Sequence, residues 1–89
     1  MVELSSTLLF NLGTCFFNEN RWREAELMYN ETIMINPNYV KALYKRAMCR
    51  FNTEQYEGAM QDIKQAYNLD KTNEDIRQNY EKIREKYNE

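Results

Sequence analysis

Two consecutive stretches of 34 residues decide the fold: STLLFNLGTCFFNENRWREAELMYNETIMINPNY at residues 6–39 and VKALYKRAMCRFNTEQYEGAMQDIKQAYNLDKTN at residues 40–73. When the second is written beneath the first, several positions coincide. The identical pairs are Leu9 and Leu43, Cys15 and Cys49, Phe17 and Phe51, Asn18 and Asn52, and Ala25 and Ala59. Self-similarity at one fixed period indicates an array of stacked structural repeats.

Each stretch predicts a pair of helices. Its apolar residues recur every three or four positions, which is the period of an amphipathic helix. Polar turns at residues 18–20 and 52–54 interrupt this pattern, so each stretch forms a helical hairpin. Between the stretches, Asn36-Pro37-Asn38 ends the helical pattern, because proline lacks a backbone N–H and restricts the residue before it.

Small residues mark where the helices approach one another. Gly13 lies in the middle of a predicted helix, where glycine costs about 1 kcal/mol relative to alanine. We therefore expect Gly13 to make a contact that leaves no room for a methyl group. The corresponding position in the second hairpin is Ala47.

Composition excludes several classes of function. The formal net charge of −2 provides none of the basic excess that drives nucleic-acid binding. The chain has no histidine and no glycine-rich phosphate loop, and its two cysteines are far apart, so we expect no catalytic site, metal site or cofactor. The apolar run at residues 8–17 is too short to span a membrane. Cys15 and Cys49 are interpreted as buried thiols of a reducing compartment, which favours a cytoplasmic or nuclear location.

Residues 73–89 predict a fifth helix that closes the array. Ile76, Tyr80, Ile83 and Tyr87 lie on one stripe of this helix, and charged residues surround the rest. A terminal cap is favoured over a coiled-coil seam, because two heptads of mixed Ile and Tyr are too short to associate strongly. The fold class is therefore all-α, with two hairpins and a capping helix in a single domain, residues 1–89.

The repeat resembles a known family. The residues that carry the resemblance are Leu9, Leu12, Gly13, Phe16, Ala25, Tyr29 and Pro37, which are similar to the signature of the tetratricopeptide repeat. In the second unit, Arg46 and Arg50 occupy positions that are usually apolar, and we expect them to contact solvent or a neighbouring helix. Glutamates such as Glu24, Glu26 and Glu31 are interpreted as a solvated helix face.

The resemblance implies a concave surface, lined by the first helix of each hairpin, that binds protein. This surface would carry Phe10, Asn11 and Thr14 from the first unit, and Lys41, Tyr44, Lys45 and Met48 from the second. Asn11, Lys41 and Lys45 fall where chaperone-binding tetratricopeptide domains hold the C-terminal carboxylates of a heat-shock chaperone tail. The order of these parts is similar to the last two repeats and capping helix of immunophilin-type co-chaperones.

Two alternatives remain open at this point. In the first alternative, the surface binds a partner helix or an extended apolar segment, and the aromatic residues of the surface contribute most of the binding energy. In addition, two repeats leave one face of the first helix uncovered, and Leu8, Leu12 and Cys15 would stay exposed. The chain would then be part of a longer protein, such as a peptidyl-prolyl isomerase, or would form a homodimer through this face or by exchanging a hairpin.

Overall fold

The computed structural model describes residues 5–88 and is all-α across that range. The five helices are α1 (Ser6–Asn18), α2 (Trp22–Ile35), α3 (Val40–Asn52), α4 (Tyr56–Leu69) and α5 (Glu74–Tyr87). The prediction of two helical hairpins followed by a capping helix is confirmed. Residues 1–4 and 89, which the expected domain at 1–89 and cap at 73–89 include, lie outside the described residues. No helix among residues 5–88 is both long and apolar enough to cross a bilayer.

Local side chains and turns fix the ends of the helices. At the start of α1, the Ser5 hydroxyl accepts a hydrogen bond from the backbone N–H of Leu8 at 3.1 Å. At the start of α5, the Asn73 side chain does the same for Ile76 at 3.2 Å. Each hairpin turn contains one residue in the left-handed region, Asn20 at φ 61° and Glu54 at φ 65°. The two turns therefore reverse the chain in the same way.

The helices pack in chain order, and α3 also contacts α5. The larger core lies between α3, α4 and α5; its buried residues are Leu43, Ala47, Ala59, Met60, Ile63, Ala66, Ile76 and Ile83. A second core joins α2 to α3, with Ala25, Tyr29, Ala42 and Cys49 buried. The result is an elongated molecule of 47 × 25 × 18 Å.

Gly13 lies at a close contact between α1 and α2, as its mid-helix position predicted. A Cβ atom added to it would lie 2.6 Å from Cε1 of Tyr29 and 3.1 Å from Cβ of Met28. Both distances are shorter than a normal carbon–carbon contact. The absence of a side chain at Gly13 is therefore what lets the Tyr29 ring pack against α1.

A network of charged side chains ties α2, α3 and α4 together. Arg46 donates two hydrogen bonds to the carboxylate of Asp62, at 2.8 and 2.7 Å, and a third to the side chain of Asn30 at 3.0 Å. Arg50 bonds the same Asp62 and also Glu26, each at 3.0 Å. The Asp62 side chain is only 5% exposed. Arg46 and Arg50 thus bind neighbouring helices, whereas the interpretation of Glu26 as solvated was wrong because Arg50 holds it in this network.

One face of α1 remains uncovered in the described structure. Leu8 is 45% exposed and Leu12 is 41% exposed, as expected for a leading helix. Cys15 is exposed, as expected for the uncovered face of α1, and Cys49 is buried, so the interpretation of both cysteines as buried thiols was wrong for Cys15. The reason is that α2 covers Cys49, whereas no helix within residues 5–88 covers Cys15.

Candidate functional site

The helices α1, α3 and α5 occupy equivalent places in successive units. The 34-residue register continues into α5, where it aligns Asn79 with Lys45 and Asn11, and Ile83 with Cys49 and Cys15. Side chains on one side of these helices contact each other from helix to helix. We call this side the first-helix surface; it comprises Phe10, Asn11, Thr14, Phe17, Lys41, Tyr44, Lys45, Met48, Phe51, Asn79 and Lys82.

Aromatic packing orders the α1 end of the first-helix surface. The Phe10 ring stacks on Tyr39, with centroids 5.1 Å apart, and is tilted against Tyr29 at 5.6 Å. The Thr14 hydroxyl donates to the backbone carbonyl of Phe10 at 3.0 Å and lies 3.0 Å from the Tyr29 hydroxyl. Burial raises the pKa of Tyr29 to about 12, so this hydroxyl stays protonated at neutral pH. Phe10 and Thr14 are therefore held in fixed positions by the protein itself.

The polar side chains predicted to bind a carboxylate come from α1 and α3, the first helices of the two hairpins. Asn11 on α1 and Lys41 on α3 are exposed. The ammonium group of Lys45 reaches from α3 to α1, where it lies 4.4 Å from the centroid of the Phe17 ring. A cation over an aromatic face is attracted by the ring quadrupole, so Phe17 positions the Lys45 charge while leaving its N–H donors available.

The α5 end of the first-helix surface is joined to α3. The Asn79 amide donates to the Tyr44 hydroxyl at 2.9 Å and to the Asp75 carbonyl at 2.8 Å. Burial raises the pKa of Tyr44, and the negative charge of Asp75 adds to that effect. The Lys82 ammonium lies 5.3 Å from the centroid of the Phe51 ring. Met48 packs against the larger core and forms the apolar floor between the two ends.

The predicted site residues therefore differ in what they offer a ligand. Asn11 and Lys41 present exposed polar groups, and Lys45 presents a positioned charge. The remaining predicted residues, Phe10, Thr14, Tyr44 and Met48, are partly buried in the underlying packing. Their roles in peptide binding stay predictions.

Sequence reasoning missed the contribution of α5. Lys82 belongs to the charged residues that were placed around the capping helix, and Asn79 was not singled out, although both contact α3 residues of the first-helix surface. The signal was present in the sequence, because the 34-residue register that aligns Asn11 with Lys45 also reaches Asn79.

Comparisons with known proteins agree with this architecture. Residues 40–73 match the family model described as tetratricopeptide repeat. The chain is 34% identical over 76 residues to the DnaJ homolog subfamily C member 7 homolog of Dictyostelium discoideum, covering 85% of this chain. It is 32% identical over 63 residues to FK506-binding protein 59 of Drosophila melanogaster, covering 71% of this chain. The chain spans 14% of the length of each of these relatives.

A solved structure has the same fold over nearly the whole chain. The first tetratricopeptide domain of Spaghetti (RPAP3), solved with the HSP90 peptide SRMEEVD, superimposes with a TM-score of 0.91 at 24% identity. The match covers 96% of this chain and 68% of the Spaghetti chain. Residues 40–73 thus match a tetratricopeptide repeat, and the hairpin geometry, the 34-residue period and this superposition show that the chain has the fold of a tetratricopeptide-repeat domain, similar in sequence to DnaJ homolog subfamily C member 7 homolog and FK506-binding protein 59.

Proposed function

We propose that this domain is a co-chaperone adaptor whose first-helix surface binds the acidic C-terminal tail of a heat-shock chaperone. The observation that carries the proposal is that Lys41, Lys45 and Asn11 lie on the first-helix surface. This surface also contains packed aromatic rings and Met48. The role is binding without catalysis, in the cytoplasm or nucleus.

The chemistry of these residues suits a terminal carboxylate. Ammonium groups and an amide supply hydrogen-bond donors, and hydrogen bonds to a charged acceptor each contribute about 1.5 to 3 kcal/mol. Because Phe17 already positions the Lys45 ammonium, binding would sacrifice less side-chain freedom than a mobile lysine requires. Phe10, Tyr44 and Met48 would contact the apolar side chains of the peptide.

The relatives and the structural neighbour support this assignment. The Spaghetti domain was solved with a peptide that ends in Glu-Glu-Val-Asp, and the curated relatives include a DnaJ homologue and an FK506-binding protein. We infer the same class of ligand for this chain from the residues it presents, since Asn11, Lys41 and Lys45 lie on the first helices of the two hairpins.

A peptide titration tests the proposal. The probe is a short fluorescent peptide ending in Glu-Glu-Val-Asp, compared with the same peptide amidated at its C-terminus. We expect amidation and Lys41→Ala each to weaken binding about tenfold or more, because each removes a charge-assisted contact. The matched control is Lys64→Ala, since Lys64 is exposed on α4, away from this surface. Equal Kd values for the free and amidated peptides would contradict the proposal.

Ionic strength separates this function from binding of an apolar helix or segment. Contacts between exposed charges weaken as salt rises, because the Debye length falls from about 30 Å at 0.01 M to about 3 Å at 1 M. Peptide affinity should therefore fall steeply with salt. An affinity that is indifferent to salt would favour the alternative in which the aromatic residues carry the binding energy.

The uncovered face of α1 favours a second role, contact with a further helix. The equivalents of Leu8 and Cys15 in α3, Ala42 and Cys49, are fully buried against α2. We infer that a helix resembling α2 covers this face of α1 in the functional protein. That helix comes either from the same polypeptide or from a second copy of the chain. Light scattering across micromolar concentrations tests the second possibility, since a strict monomer contradicts self-association.

A further inference from the structure

We propose that Lys82 on the capping helix binds an acidic side chain of the peptide that lies upstream of the terminal carboxylate. Helix α5 is then a specificity-determining part of the binding surface. This inference rests on the function proposed above and identifies what the surface recognises beyond a C-terminus.

The first step is that α5 is fixed in place on the first-helix surface. Ile76 and Ile83 are almost completely buried against α3 and α4. On the neighbouring face, the Asn79 amide bridges the Tyr44 hydroxyl and the Asp75 carbonyl. Residues three apart on a helix share a face, so Lys82 lies on the same side of α5 as Asn79.

The second step is that Lys82 makes the same type of cation–ring contact as Lys45, although the 34-residue register aligns Lys82 with Met48 and not with Lys45. Phe17 and Phe51 are equivalent residues of α1 and α3, and each carries a lysine ammonium from the next first helix. Lys45 lies 4.4 Å from the Phe17 centroid, and Lys82 lies 5.3 Å from the Phe51 centroid. The surface thus presents two positioned cations in successive units.

The third step is the spacing of these cations along a bound peptide. The rings that carry these cations, Phe17 and Phe51, are equivalent positions on first helices one unit apart, a spacing on the order of 10 Å. An extended chain advances about 3.3 to 3.6 Å per residue, so that distance corresponds to about three residues. With the terminal carboxylate near Lys45, the side chain that reaches Lys82 belongs to the third residue before the terminal one.

The fourth step is the sign of the surrounding charge. Asp75 lies one helical turn before Asn79, and its negative charge adds to burial in raising the pKa of Tyr44. Asp75 would repel an acidic peptide side chain at the N-terminal end of α5, whereas Lys82 would attract it. The opposing charges therefore favour a single register of the peptide.

A double-mutant cycle tests the inference. The protein variants are Lys82→Met, which keeps the aliphatic stem over Phe51 and removes the charge, and Lys82→Arg, which restores the charge. The peptides end in Glu-Glu-Val-Asp, with glutamine replacing either the first or the second glutamate. We expect Lys82→Met to weaken the parent peptide about threefold to fivefold, and Lys82→Arg to restore binding.

The control peptide decides whether the contact is specific. The first glutamate is the third residue before the terminal Asp, and its replacement should remove the effect of Lys82→Met. Neighbouring side chains of an extended chain point to opposite sides, so replacing the second glutamate should leave that effect intact. The inference is overturned if Lys82→Met weakens the binding of all peptides equally. It is also overturned if the effect of Lys82→Met disappears when the second glutamate, and not the first, is replaced.

Failure of this inference is distinguishable from failure of the proposed function. If amidation still weakens binding but Lys82 shows no coupling, the terminal carboxylate is bound and α5 is not a specificity element. If the unaltered chain does not distinguish the free from the amidated peptide, both proposals are overturned. Lys64→Met provides the matched loss of one exposed lysine and should have no effect on either measurement.

Discussion

The outer faces of α1 and α3 carry equivalent residues of the repeat but have opposite environments. Leu8, Leu12 and Cys15 on α1 are exposed, whereas two of their α3 counterparts are buried against α2 and the third is largely enclosed. These counterparts are Ala42, Arg46 and Cys49. Within this fold, burial is set by whether a neighbouring unit is present and not by the polarity of the residue. An arginine is largely enclosed on α3, and two leucines are exposed on α1.

The largest expected effect comes from the arginine on the covered face. Arg46→Met leaves the Asp62 carboxylate, 5% exposed, with Arg50 as its one remaining ionic partner among residues 5–88. Removing one member of a buried ion pair typically costs about 3 to 5 kcal/mol. We therefore expect a loss of about 3 kcal/mol in the free energy of unfolding, measured by urea denaturation followed by circular dichroism.

The equivalent substitution on α1 is the control. Leu12→Met introduces the same residue at the same repeat position on the uncovered face, and should change stability by less than about 0.5 kcal/mol. Replacing both members of the pair, with Arg46→Met and Asp62→Leu together, should recover much of the loss, because no unpaired charge remains. Similar losses for the two methionine variants would contradict the comparison.

A smaller effect is expected where the two hairpins differ in their closest helix contact. Gly13→Ala places a methyl group 2.6 Å from the Tyr29 ring, and overpacking costs about 1 to 3 kcal/mol, partly offset by about 1 kcal/mol of helix propensity. The second hairpin accommodates Ala47 at this position and has Ile63 in place of Tyr29. We expect a net destabilisation of about 1 kcal/mol in a thermal melt.

A double variant sharpens the Gly13 prediction. In a Tyr29→Ile background, Gly13→Ala should be neutral or stabilising, because the contact then resembles that of the second hairpin. If Gly13→Ala is equally destabilising in both backgrounds, the Tyr29 ring is not the cause.

The two cysteines are expected to give the smallest change in stability but a clear chemical contrast. Cys15 should react rapidly with a thiol reagent in the folded protein, whereas Cys49 should react only when the structure opens. Burial raises the pKa of Cys49 from 9.0 to about 12. The folded state therefore retains a proton that the unfolded state loses, and the free energy of unfolding should decrease as pH rises from about 9 to about 12.

A cysteine substitution tests that pH dependence. Cys49→Ala should make the alkaline loss of stability less steep, while the burial of Tyr29, whose pKa is raised to about 12, leaves a remaining loss above about pH 10. Equal labelling rates for the two thiols would contradict the burial difference on which the comparison depends.

Much of this fold could be predicted from the sequence because its information is periodic. The 34-residue register placed the helices and the turns, and the mid-helix glycine correctly predicted a close contact at Gly13. The register did not identify the partners of Arg46 and Arg50. Those partners, Asp62 and Glu26, lie on other helices, so their pairing depends on helix packing and not on local pattern.

The candidate site shows the same division. The family resemblance pointed to the polar residues Asn11, Lys41 and Lys45, but the sequence did not identify the Phe17 ring that positions Lys45. The contact between Lys45 and Phe17 crosses from one hairpin to the other. The contribution of α5 was overlooked because the charge pattern of that helix is typical of a solvated cap, whereas its Asn79 bonds Tyr44 across the surface.

The most direct test of the central claim is to map the peptide on the domain by amide chemical-shift perturbation. A peptide ending in Glu-Glu-Val-Asp should shift the backbone amides around Asn11, Lys41 and Lys45, with smaller shifts near Lys82. Amides on the outward sides of α2 and α4, such as those of Leu27 and Lys64, should not move. Perturbations confined to α2 and α4, or to the uncovered face of α1 at Leu8 and Leu12, would contradict the assignment of the first-helix surface as the binding site.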